Sequence, residues 1–152
     1  MGIATTRAVS LVGMQGHVVE VQAHLAASVP GFTLVGLPDA ALSESRDRVR
    51  AAVTSTGLPW PVKKITVNLS PASLRKQGSA YDLAIAVAIL AGTDGPTSPG
   101  MRRTGLDRVV HLGELGLDGR VQPVRGVLPT VAAAVAAGYP DEIGRASCRE
   151  RV

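Results

Sequence analysis

At 152 residues the chain has room for one domain with an ordinary core and not for two. Hydrophobic residues make up 45 % and aromatic residues only 3 %, so the core must be built from Ala, Val, Leu and Ile, and an aromatic-rich binding surface is excluded. The net charge of +4 is compatible with nucleic acid or an acidic partner, but it is spread along the chain and selects neither. No segment reaches the roughly 18 continuous apolar residues of a membrane span, and the N-terminus lacks the plan of a signal peptide, so the reading is cytoplasmic with no membrane partner.

The first elements alternate in hydrophobicity. "ATTRAVSLVG" and "GHVVEVQAHLA" flank the turn-prone "GMQG" and predict a hairpin, and "FTLVGLP" predicts a third strand. Gly2 nominally fits an acylation pattern, but so do many unmodified proteins. Asp39 is placed to cap a helix running to Gly57, with Leu42, Val49 and Val53 on one face and Glu44 one turn before Arg48. "LPWPVKK" holds two prolines and reads as a loop, and "KITVNLS" reads as a fourth strand with Ile65, Val67 and Leu69 on one side.

A basic loop, "PASLRKQG", leads to a second helix predicted over Ala80 to Ala91, whose "LAIAVAILA" is apolar on every side and so must be buried against a sheet. "TDGPTSPGMRRTGLD" reads as an exposed connection. "RVVHLGEL" and "GRVQPVR" read as strands around "LDG", and "GVLPTVAAAVAAG" as a helix with Pro129 in its first turn; another strand is expected after Tyr139.

The last eleven residues, "EIGRASCRERV", break from the Ala/Val/Gly-rich style before them, and one back-translation of them matches a common short-read sequencing adapter. Residues 1–141 are therefore read as one domain, incomplete at its C-terminus, and residues 142–152 as a non-native tail. Without that tail three arginines and two glutamates are lost, the net charge becomes +3, and Cys148 says nothing about catalysis or redox compartment.

Ser79 raises the question of nucleophilic chemistry, because it sits where a helix N-terminus could stabilise an oxyanion. The residues favour a plainer role. Ser79 and Asp82 have the spacing of a capping box, the hydroxyl accepting from the Asp82 N–H and the carboxylate reaching back to the Ser79 N–H. His17, His24 and His111 lack zinc-ligand spacing; His17 and His24 point to opposite faces of one strand, and all three read as surface or half-buried residues. A phosphate-binding Gly-x-x-x-x-Gly-Lys-[Ser/Thr] string is missing, and "GELGLDG" is a turn whose acidic residues repel phosphate. No catalytic, metal or cofactor residue is assigned. Arg46 and Arg50, one turn apart on the first helix, with Arg75 and Lys76 before the second, are the candidate contacts to a phosphate backbone or partner, although no aromatic residue is interleaved with them in sequence.

Three blocks, "VVEVQAHLAASVPGFTLVGLPDAALSESRDRVRAAVTSTG", "KKITVNLSPASLRKQGSAYDLAIAVAILAG" and "HLGELGLDGRVQPVRGVLPTVAAA", resemble the N-terminal, ChlI-type domain of magnesium-chelatase-like AAA+ ATPases of the YifB/ComM type. The resemblance implies an α+β fold like the proteolytic domain of Lon and the second domain of a ribosomal protein, a mixed sheet with helices on one face. Lon uses a Ser-Lys dyad; laying its motifs on this chain puts Ala80 at the nucleophile and Leu128 at the base, so the dyad is missing.

The resemblance further implies a DNA helicase of the branch-migration kind, with ATP and Mg bound by a module beyond this chain. By analogy with RadA, this domain would help to assemble a hexameric ring and contact DNA. The alternatives are a Lon-like serine peptidase using Ser79 and a protein-interaction domain without a nucleic-acid role.

Overall fold

The computed structural model describes residues 2–76, 78–93, 105–139 and 141–144. Most of the connection after Thr93 and the last residues, Cys148 among them, lie outside the described residues. Strands β1 (Gly2–Val12) and β2 (Gln15–Ala26) form the expected hairpin, with Arg7 opposite Glu20 and Val9 opposite Val18. Strand β3 (Gly31–Val35) runs parallel to β4 (Lys64–Ser70), which pairs antiparallel with β2.

Beyond β1 come β5 (Val109–Leu112) and β8 (Asp141–Gly144), both parallel, so the six-stranded sheet has the order β3-β4-β2-β1-β5-β8. The fold is α+β with a mixed sheet, as expected. The strand expected after Tyr139 is β8, and its backbone ladder to β5 continues past Asp141. A two-stranded ribbon, β6 (Glu114–Leu115) with β7 (Val121–Gln122), stands apart. The stretch read as one strand, "RVVHLGEL", is thus two. The Gly113 peptide between them turns onto residues 80–83, donating to the Ala80 carbonyl at 3.1 Å and accepting from the Leu83 N–H at 3.1 Å. A Cβ on Gly113 would come within 2.6 Å of Val121, so glycine permits this approach.

Pleat parity divides the sheet into two faces. Ala8, Val19, Val21, Ala23 and Leu25 meet Ile65, Val67 and Leu69 and the helices α2 (Ser45–Ser55) and α3 (Asp82–Gly92) in the main core. Helix α3 is buried nearly all round, as its composition requires, and Ala84, Ala88 and Ala91 let its axis come close to the sheet. Each fully buried Val, Leu or Ile here contributes on the order of 1.5–3 kcal/mol of transfer free energy.

The expectation that all helices lie on one face is corrected. Helix α4 (Val127–Ala136) packs Ala133 and Ala134 against Val9, Leu11, Val18 and Val110. Those β1 and β2 residues have the opposite parity from Ala8 and Val19, so α4 covers the other face. Apolar residues at both parities near the hairpin tip require cover on both sides.

The helix predicted over 40–57 begins under the Asp39 cap, whose carboxylate accepts from the Leu42 N–H at 2.7 Å, but it is broken into α1 (Ala40–Ser43) and α2. At the break Ser43 donates to the Asp39 carbonyl, Ser45 turns inward to Asp82, and Arg48 Nη2 donates to the Ala41 carbonyl, so side chains compete for backbone and core partners. Leu42, Val49 and Val53 are buried as expected. Gly2 is buried too: a Cβ there would come within 1.8 Å of the Gly92 carbonyl oxygen, so the acylation pattern falls on a residue held inside the fold.

Candidate functional site

The capping box expected of Ser79 and Asp82 is not formed. Helix α3 starts at Asp82 after Tyr81, with no side-chain cap, and the Asp82 N–H reaches the Ser79 backbone carbonyl at 3.2 Å. The Ser79 hydroxyl instead donates to the carboxylate of Glu114 on β6. Packing of the β6-β7 ribbon against this end of α3 supplies an acceptor that local spacing could not foresee.

Asp82 is fully buried, and its carboxylate accepts four hydrogen bonds: from Ser45 Oγ at 2.5 Å, Arg48 Nε at 2.7 Å, Arg48 Nη2 at 3.1 Å and the Leu115 N–H at 3.1 Å. This node ties α2, α3 and β6 together. The hydrogen bonds to Asp82, above all, and the charges of Asp82, Glu114 and Glu44 hold the Arg48 pKa above its usual value, against the opposing effect of burial. The Glu44 to Arg48 contact expected from sequence is present at 3.3 Å, but Glu44 is exposed and that pair is the minor one. Arg48 was legible only as a surface partner; its buried role depends on an aspartate 34 residues away.

This geometry does not present a serine for attack. Ser79 is engaged by a carboxylate, Ala80 stands at the nucleophile position of the Lon pattern, and Leu128, at the base position, is 57 % exposed on α4.

The four basic residues separate. Lys76, expected to contact a phosphate backbone, is fully buried: its ammonium donates to the Pro71 carbonyl and burial lowers its pKa. Its backbone is stitched to the segment before α1, the Lys76 N–H donating to Leu37 O at 3.2 Å and the Asp39 N–H to Lys76 O at 3.0 Å. That contact role is therefore withdrawn, because a side chain sealed under its own loop cannot reach a phosphate. Arg75, next to it, is exposed at a small cleft with Leu37, Pro38 and Asp39.

Arg46 and Arg50 come together on the exposed side of α2. They line a groove of about 360 Å³ with Lys63, Asp47, Phe32 and Trp60, opened between α2 and the start of β3. Phe32 and Trp60 stack with centroids 6.4 Å apart and planes at 27°. Two of the chain's four aromatics are thus brought beside Arg46 and Arg50, from which they are separated in sequence. The one available signal was the tryptophan of "LPWPVKK", flanked by prolines and followed by two lysines.

His17 and His24 are half-buried on opposite faces of β2, as their spacing implies. His111 departs from its expected surface or half-buried placement: it is buried on β5 with Nδ1 at 2.8 Å from Thr6 Oγ1, and burial lowers its pKa. Among the described residues no group of three or more His, Cys, Asp or Glu side chains converges as a metal site. No helix of the described residues is long and apolar enough to cross a membrane.

A family model described as subunit ChlI of Mg-chelatase matches residues 19–143, which include both the Arg48–Asp82 node and the groove. The chain belongs to this ChlI family. Among its relatives, an uncharacterized protein of Mycobacterium tuberculosis is 51 % identical over 140 residues, 92 % of this chain and 27 % of the relative. The uncharacterized protein YifB of Escherichia coli is 39 % identical over 138 residues, 91 % of this chain and 26 % of its own length. The competence protein ComM of Haemophilus influenzae is 40 % identical over 134 residues, 88 % and 25 % respectively. This ChlI-type chain therefore spans about a quarter of the length of the curated relatives it matches.

Proposed function

We propose that the chain is a non-catalytic N-terminal domain of a magnesium-chelatase-like AAA+ ATPase of the DNA helicase or branch-migration type, working in the cytoplasm. In that setting it contributes to assembly of a ring and contacts DNA. The observation that carries the non-catalytic part is the state of the α3 N-terminus: Ala80 and Leu128 stand at the dyad positions, and the neighbouring Ser79 hydroxyl is bound to Glu114. The serine-peptidase alternative has no lysine to draw on there, since Lys76 is turned to the Pro71 carbonyl.

ATP and Mg belong to the part of the parent protein beyond this chain. The residues present do not fit a triphosphate: the phosphate-loop string is missing, and the turn after β6 presents Asp118, with Glu114 at its base. The exposed arginines Arg46, Arg50 and Arg75 support the DNA contact.

Reading the source DNA beyond Asp141 tests the parentage, with Gly-x-x-x-x-Gly-Lys-[Ser/Thr] expected within roughly the next hundred residues. A stop codon in a clean assembly would refute it. For the DNA contact, fluorescence anisotropy of labelled DNA is expected to show binding that weakens steeply with salt. Salt-insensitive binding, or none, favours the protein-interaction reading instead.

A further inference from the structure

We propose that the groove between α2 and the start of β3 takes single-stranded nucleic acid, with a base stacked on Trp60 and flanking phosphates on Arg46 and Arg50. The inference rests on the DNA-contact reading and narrows it to one site and one strand state.

Three features of the groove converge on this ligand. Arg46 and Arg50 lie about one helical turn apart, about 6 Å along α2, and both are exposed, so their guanidinium groups can follow successive phosphates of an extended strand. Trp60 is held in place by Pro59 and Pro61 in the chain and by Phe32 against its ring, so little rotamer freedom is lost when a base stacks on it.

A cationic track beside a fixed aromatic ring is the arrangement that binds single strands, where each base has a free face. In a duplex those faces are already stacked, so a duplex could use the arginines but not Trp60. Asp47 is the groove's one acidic lining residue, and its 3.5 Å contact with Arg46 is exposed and weak. Arg46 and Arg50 against Asp47 therefore leave the groove net positive.

Trp60 is the only tryptophan of the chain, so its fluorescence reports on this groove alone. The purified chain is titrated with oligothymidylate and, separately, with a duplex of equal length, while anisotropy of the labelled DNA follows total binding. Oligothymidylate is expected to quench Trp60 saturably, and the duplex to leave it nearly unchanged. The double variant Arg46→Gln/Arg50→Gln, at exposed positions on α2, should weaken binding and lower the slope of log affinity against log salt by about 1.4. Asp47→Asn should tighten binding about two- to fivefold by removing the groove's anion.

DNA binding by anisotropy with no Trp60 quenching, or with a slope untouched by the double variant, overturns the groove while leaving the DNA-contact reading intact. No DNA binding at all removes both. Quenching by polyglutamate but not by oligothymidylate overturns the assignment in favour of an acidic protein partner.

Discussion

Replacing Arg48 by Met probes the buried node directly. Asp82 is fully buried and draws two of its four hydrogen bonds from Arg48, so the substitution leaves a charged carboxylate with only the Ser45 hydroxyl and the Leu115 N–H. Breaking a buried pair from one side costs about 3–5 kcal/mol, and because the Arg48 side chain is 18 % exposed and water can follow, the lower end, about 3 kcal/mol, applies. For a chain of this size that corresponds to a fall in Tm of roughly 6–12 °C. Thermal unfolding followed by circular dichroism reads it, and urea unfolding should show a lower midpoint at unchanged slope. Removing both charges in Arg48→Met/Asp82→Leu should recover most of the loss, since an apolar pair of similar volume needs no desolvated ion. A loss below about 1 kcal/mol for the single variant, or a double variant as unstable as the sum of the two singles, would refute the node as the link between α2 and α3.

Three further outcomes are expected. Burial depresses the His111 pKa in the folded state, so below about 6.5 the unfolded chain takes up a proton that the folded chain refuses; stability present above that pH should fall as the pH drops towards the folded value, and urea midpoints should flatten with pH in His111→Gln. Ser79→Ala should cost about 1 kcal/mol through its bond to Glu114 while leaving any background peptide hydrolysis unchanged; a lost peptidase activity would remove the non-catalytic reading. Gly16→Val would place a Cβ 2.4 Å from that of Ala133 and force α4 off the hairpin, for about 1–3 kcal/mol; unaltered thermal stability would contradict α4 packing on this face.

The local grammar of the chain was legible because it is written at short range. Alternation in β1, β2 and β4 marks strands whatever they pair with, and the all-round apolar surface of α3 admits no position but a buried one. Asp39 caps α1 because a carboxylate three residues ahead of an amide is a local geometry. Ser79 and Asp82 show where such reasoning fails: the spacing suits a capping box, but Glu114 and Arg48 offer each residue a partner from another element. Within a packed interior, a charge-assisted bond outweighs a cap that solvent and backbone can replace.

The sequence by itself determined which stretches are strand and which are helix, though not where two of them break, together with the α+β class, the family resemblance and the loss of both dyad positions, because periodicity, turn chemistry and residue identity need no neighbour. Only the tertiary structure decided that α4 crosses to the other face, that Lys76 is sealed inside its loop, and that Arg46 and Arg50 share a groove with Phe32 and Trp60. Those facts depend on which elements pack together, and chain folding sets that through burial summed over the whole core and not through any single stretch of residues.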